Sequence, residues 1–242
     1  MLTAQNAFCQ PDTTYVQLEL NRSGYGAQRR TRRQQTHLMA KKTLYSPHPS
    51  LAMVQNIIAN MKTKTGRTVD EWVAFIKKHG PTTEKERRQW LKSEHELGTN
   101  YAWWLAERAD GKGEEDADPG AYLEAAERYV ANMFAGSKAA LAPIYDELLK
   151  LGLSIGKDVK ACPCKTMVPL YRRHVIAQIK PSTRTRIDFG LALGATRAPK
   201  RLIETGGFEK GDRITHRIVI QSKADIDYEV KRWLKRAYEL DA

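Results

Sequence analysis

No stretch of this chain approaches the run of about twenty apolar residues that a bilayer core demands, so a membrane is not expected among its partners. Cysteine is equally scarce. Cys9 falls in a segment without an apolar period, which leaves Cys162 and Cys164 and no disulfide framework. A reducing compartment, the cytoplasm, fits that usage. Between Asp158 and Asp188 there is no acidic residue, although Lys160, Lys165, Arg172, Arg173, Lys180, Arg184 and Arg186 fall inside. The remainder is ordinary: 41% hydrophobic and 28% charged residues exclude wholesale disorder and fibrous classes. At 242 residues the chain sits near the size at which cores divide, and two domains are expected.

Residues 1–49 read as a disordered basic tail. Up to Ser50 the chain carries seven Lys or Arg against two acids, including Arg29, Arg30, Arg32 and Arg33, with no sustained apolar period. It lacks the apolar core of a secretion signal. An Arg-rich, acid-poor leader imitates an organellar transit peptide, and Met39 stands as a later candidate initiator.

From Leu51 the texture changes. Leu51, Val54, Ile57, Ile58 and Met61 recur at helical spacing after Ser50, a good N-cap, and that helix ends near Gly66. Thr68 with Glu71 reads as a capping box ahead of Trp72, Phe75 and Ile76, and Gly80-Pro81 stops the helix. Thr83 with Glu86 repeats the signal, and Thr99 opens a further helix carrying Tyr101, Trp104 and Leu105. Residues 50–110 are therefore expected to form a small four-helix module.

Residues 111–120, with Gly111, Gly113, Glu114, Glu115, Asp116, Asp118 and Pro119, read as an acidic linker with nothing to bury. Residues 121–242 follow as an α+β domain. Helices are predicted over Ala121 to Phe134 and Ser137 to Leu151, with Pro143 disturbing the first turn of the second. Beyond Gly156 the period switches to alternation. Val175, Ala177 and Ile179 oppose His174, Gln178 and Lys180, and Ile187, Phe189 and Leu191 oppose Arg184, Arg186 and Asp188. Shorter strands are predicted over Thr166 to Tyr171, where Pro169 argues for an edge, and over Ile214 to Ile220. Ser222 with Asp225 caps a final helix whose Ile226, Val230, Trp233, Leu234, Ala237 and Tyr238 form an apolar stripe. The fold class is α+β: an all-helical N-terminal module, then an antiparallel sheet of about four to five strands flanked by helices.

Several short motifs carry a resemblance: Pro163-Cys164-Lys165-Thr166, Tyr171-Arg172, the run from Ala177 to Asp188, His216-Arg217, and Trp233 to Tyr238. From about Ala135 to the end the chain resembles a bacterial family of domains of unknown function, sometimes labelled predicted transport proteins. In that family the domain stands alone or is attached to others, restriction-enzyme-like nucleases included. Residues Met53 to about Gly111, with Lys64 to Thr68 and the Trp103-Trp104 pair, resemble a second small helical domain of unknown function that commonly precedes it. The resemblance implies an architecture and no established activity or ligand.

Catalytic chemistry finds little purchase, and neither a cofactor nor a metal is expected. Cys162, Cys164 and His174 supply at most three ligands where a structural zinc site wants four. Asp188, Glu204 and Glu209 suggest nuclease carboxylates, yet no E-x-K follows at a strand, and an Asp among arginines reads as a salt-bridge partner. Gly206-Gly207 lacks the context of a phosphate loop and reads as a turn. Trp103 and Trp104 fit a helix core better than a base-stacking platform.

Charge is more informative. The net +12 divides as +5 over residues 1–50, +2 over 51–110, −3 over 111–160 and +8 over 161–242. A surface of that kind attracts phosphate-bearing partners. The expected function is a non-enzymatic module binding nucleic acid or another polyanion through its sheet, with Lys165, Tyr171, Arg172, Lys180, Arg184, Arg186 and Arg217 as contacts. An adaptor for an acidic protein is the alternative, and an enzyme acting on a small anion stands behind both.

Overall fold

The computed structural model describes residues 43–242. The expectation of a disordered tail over residues 1–42, with the Arg29 to Arg33 run and Met39, lies outside the described residues. Four helices come first: α1 (Ser50–Thr65), α2 (Val69–His79), α3 (Glu84–Ser93) and α4 (Thr99–Ala109). Their ends are largely written in the sequence. Thr68 accepts from the Glu71 N–H, and the Glu71 carboxylate takes the Thr68 N–H at 2.7 Å. Thr83 caps α3 by accepting from the Glu86 N–H. Gly66 closes α1 at φ +77°, a left-handed conformation that costs glycine little. Ser50 is a helical residue rather than the cap expected, and its N–H goes to His48 Nδ1 at 3.1 Å. Val54, Ile57, Met61, Trp72, Ile76, Leu91, Trp104 and Leu105 share one core, against which Trp103 packs.

The helix expected from Ser137 is split. After α5 (Pro119–Met133), a 3-10 turn over Gly136–Leu141 leads into α6 (Ala142–Ser154), where Pro143 sits in the first turn and its missing N–H costs nothing. Six strands follow: β1 (Lys160–Ala161), β2 (Val168–Tyr171), β3 (Val175–Pro181), β4 (Ile187–Leu191), β5 (Ile203–Glu204) and β6 (His216–Ile220). They form one antiparallel sheet in the order β1-β2-β3-β4-β6-β5. That exceeds the four to five expected because β1 and β5 are two residues each, too short to show a period. Pro169 is not on the edge strand, since β1 lies outside β2. Its carbonyl accepts the Cys162 N–H at 3.0 Å, and its absent donor faces the same neighbour, so the pairing with β1 lacks one bond just past Ala161.

One face of the sheet holds Leu170, Ala177, Ile179, Ile187, Phe189, Leu191, Ile218 and Ile220, all buried. Against it pack α6, through Leu148, and α7 (Tyr228–Leu240), through Val230 and Leu234. The Ser222 and Asp225 box is present but caps a 3-10 turn over Lys223–Asp225; α7 has its own cap in Asp227, which accepts from the Glu229 and Val230 N–H groups.

Two segments read as having nothing to bury are packed. Tyr45 runs parallel to Ala161, the Ser46 N–H donates to the Ala161 carbonyl at 2.9 Å, and the Tyr45 hydroxyl meets that of Tyr145 at 3.0 Å. Residues 43–49 thus act as a strap across the edge that β1 leaves open. Between α4 and α5, Gly113 is buried, the Tyr129 hydroxyl donates to Glu115 at 2.9 Å, and Asp118 caps α5 by accepting from the Ala121 N–H at 2.7 Å.

Candidate functional site

On the sheet's other face, charge gathers around Asp188. Strand pairing sets Lys180 of β3 opposite Asp188 of β4, and Arg217 reaches back from β6. Asp188 Oδ1 lies 2.9 Å from Arg217 Nη1 and 3.0 Å from Arg186 Nε, and Oδ2 accepts from the Ser182 hydroxyl at 2.7 Å. One carboxylate therefore offsets two guanidiniums. Lys180 and Arg184 are exposed and make no ion pair among the described residues. Alternation placed Arg184 on the polar face of a strand; it lies instead in the turn where the Ser182 and Thr183 N–H groups both reach the Arg186 carbonyl, at 3.1 and 3.3 Å.

The other three residues expected at the site are elsewhere and tie elements together. The Tyr171 hydroxyl meets His48 Nε2 at 3.1 Å. Arg172 binds Asp158 at 2.8 Å, donates to the Tyr238 carbonyl at 3.1 Å and stacks 4.1 Å over the Tyr238 ring. Lys165, in the β1–β2 connection, lies near the acids of α4 and the following turn. Burial, with Asp116 and Glu84 adding to it, pushes the Glu107 carboxyl up to about 7, and Lys165 acts against that rise at both Glu107 and Asp116. Lys180, Arg184, Arg186 and Arg217 share one region, and the seven do not make a single patch.

The thiols and His174 are apart in role. Burial pushes the Cys162 thiol up to about 12, and its Sγ lies 3.7 Å from the Pro47 carbonyl. His174 Nδ1 is 2.9 Å from Asp241 Oδ1. No three His, Cys, Asp or Glu side chains among the described residues are grouped to hold a metal.

Residue-by-residue reading missed the outer side of α7. Val230, Leu234 and Ala237 turn inward, which leaves Tyr228, Lys231, Arg232, Lys235 and Arg236 on a contiguous outward arc of roughly 140° at 3.6 residues per turn, with the exposed Glu239 inside it. All five are exposed, Tyr228 to 78%. The only ion pair they make among the described residues is Lys235 with Glu239, at 4.0 Å on the surface. The signal was present in the sequence as the complement of the apolar stripe.

Residues 130–241 match the family described as domain of unknown function DUF5655, and residues 53–111 match the family described as domain of unknown function DUF4287. No curated protein and no solved structure matches the chain significantly. The chain is thus similar, in N-to-C order, to two domains of unknown function, the first ending where α4 gives way to the turn and the second beginning within α5.

Proposed function

We propose that this protein is a binding module for nucleic acid or another polyanion, with the outward arc of α7, rather than the sheet, as its principal contact surface. The observation that carries the reading is the arc itself: four cations, Lys231, Arg232, Lys235 and Arg236, on one exposed helical face with Glu239 as the single carboxylate of α7 among them, beside an exposed aromatic ring. Cations that outnumber carboxylates four to one on one helical face attract a phosphate backbone, and a ring of Tyr228's exposure offers a face on which a base stacks. The Asp188 cluster is a weaker candidate because its arginines are already answered.

Fluorescence anisotropy of the full chain with a single-stranded oligonucleotide, titrated across salt, tests the reading. Four phosphate contacts give a log–log salt slope of at least about 3 in magnitude, at roughly 0.7 per contact. Failure to bind at low salt overturns it and leaves the same cations to an acidic protein partner.

A further inference from the structure

Beyond the end of β4, at the β5–β6 edge, lies a cavity of about 190 Å³ lined by Gly194 to Arg197, Glu204, Gly206, Phe208, Glu209, Thr215 and His216. That is room for a small molecule rather than for a single water. The turn that forms its rim is fixed by the chain: a Cβ on Gly207 would stand 2.5 Å from the Ile214 carbonyl oxygen, and the Asp212 N–H closes the loop on the Gly207 carbonyl at 2.8 Å.

Three charged side chains line this space without answering one another. Three nearby arginines are taken, Arg201 by Asp227, Arg213 by Asp241 and Arg217 by Asp188, while Lys210 is exposed next to Glu209. Arg197, Glu204 and Glu209 are exposed and make no ion pair among the described residues, although charges of both signs border one small cavity. They stand on the loop after β4, on β5 and at the hairpin tip. His216 supplies a second sign of an unfilled role. It is 2% exposed, its Nδ1 is 2.8 Å from the Thr215 hydroxyl, which also accepts from the Leu193 N–H, and its Nε2 is buried with no partner. A buried imidazole nitrogen left unpaired costs free energy that a polar ligand recovers.

We infer that the cavity binds a small zwitterion, a free α-amino acid, with its carboxylate toward Arg197 and its ammonium toward Glu204 and Glu209. A ligand carrying both signs within a few ångströms answers both kinds of charge, where a simple anion meets two carboxylates and a simple cation meets a guanidinium. Phe208, 56% exposed at the rim, offers an apolar face to the ligand's side chain. None of these residues belongs to the α7 arc, so the inference stands or falls apart from polyanion binding.

The test is saturation-transfer NMR of the full chain with each of the twenty L-amino acids, and with acetate and ethylammonium as the two half-ligands. At least one amino acid binds about tenfold or more tightly than either half-ligand. In the unmodified protein its addition shifts the amides of Gly194, Gly206 and Phe208. Arg197→Gln, and Glu204→Gln with Glu209→Gln, each weaken binding about tenfold with melting unchanged. No binding by any amino acid at 10 mM (about a hundredfold above a typical metabolite-level affinity), equal binding of a half-ligand, or amide shifts confined to another region overturns the assignment.

Discussion

The Tyr171 hydroxyl and His48 Nε2 lie 3.1 Å apart, joining a strand of the sheet to a strap 123 residues earlier in the chain. The Ser50 N–H donates to His48 Nδ1, which makes that nitrogen the acceptor and puts the imidazole proton on Nε2, toward Tyr171. Burial lowers the His48 pKa to about 4, and a proton added at Nδ1 would face the Ser50 N–H.

Stability therefore falls on acidification through His48. Its folded pKa lies below the unfolded value near 6.5, so the unfolded chain binds more protons; the contribution is full above pH 6.5 and drains as pH falls toward about 4. The whole shift corresponds to on the order of 3 kcal/mol. His48→Gln should cost about 1–2 kcal/mol at pH 7.5, and the gap from the parent should shrink by pH 4.5. Parallel stability curves for the two proteins would sink this account of the strap.

Asp241 closes the other end of the domain. Its carboxylate, 3% exposed, accepts from the Arg173 and His174 N–H groups and from the His174 ring, all at 2.9 Å, and from Arg213 at 2.5 Å. Burial alone would raise its pKa, but these donors hold it below the usual aspartate range. The stability it contributes is present above the unfolded value near 3.9 and is lost as pH drops through the lower folded value. Urea unfolding of Asp241→Asn at pH 7 should show a loss of about 2–3 kcal/mol; an unchanged midpoint would contradict the role.

Local signals in the sequence located most helices and the four longer strands. Thr68 and Glu71 carry their cap within four residues, and the alternation from Val175 to Leu191 is a property of adjacent positions. What stayed hidden depends on distant partners. Nothing near Tyr45 or His48 announces Ala161 or Tyr171, and Gly113 and Glu115 read as linker until Tyr129 is set beside them. The candidate residues failed to converge for the same reason. Alternation assigns a residue to a face, but only the fold reveals that Asp188 already answers Arg186 and Arg217, or that Arg172 is spent on Asp158.

Glu107 has the opposite sign to His48. Its folded pKa, raised to about 7, means that its neutral form is favoured, so its contribution is present below the unfolded value near 4.5 and is lost as pH rises through 7. Glu107→Gln should raise stability by about 1 kcal/mol at pH 8, after allowance for solvent screening, and by little at pH 5. Equal gains at both pH values would show that burial of the charge is not the cause.

Arg186 is expected to behave differently from its neighbours Lys180 and Arg184. Arg186→Gln removes one of two guanidiniums from Asp188 and should cost about 0.5–1 kcal/mol, whereas Lys180→Gln and Arg184→Gln should be neutral within about 0.5 kcal/mol. Thermal melting of the three single variants checks this, and a loss at Arg184 equal to that at Arg186 would mean the turn is held by more than its backbone hydrogen bonds.

The most direct measurement compares the oligonucleotide salt slope of the parent with those of two full-chain variants, K231Q/R232Q/K235Q/R236Q on α7 and K180Q/R184Q beside Asp188. If α7 is the principal surface, the first variant weakens binding and lowers the slope by about 2–3, at roughly 0.7 for each phosphate no longer neutralised, and the second changes it by less than about half as much. A first variant that keeps the parent's affinity and slope, with binding abolished in the second or in neither, would contradict the account and move the binding surface to the sheet or to the Arg29 to Arg33 run.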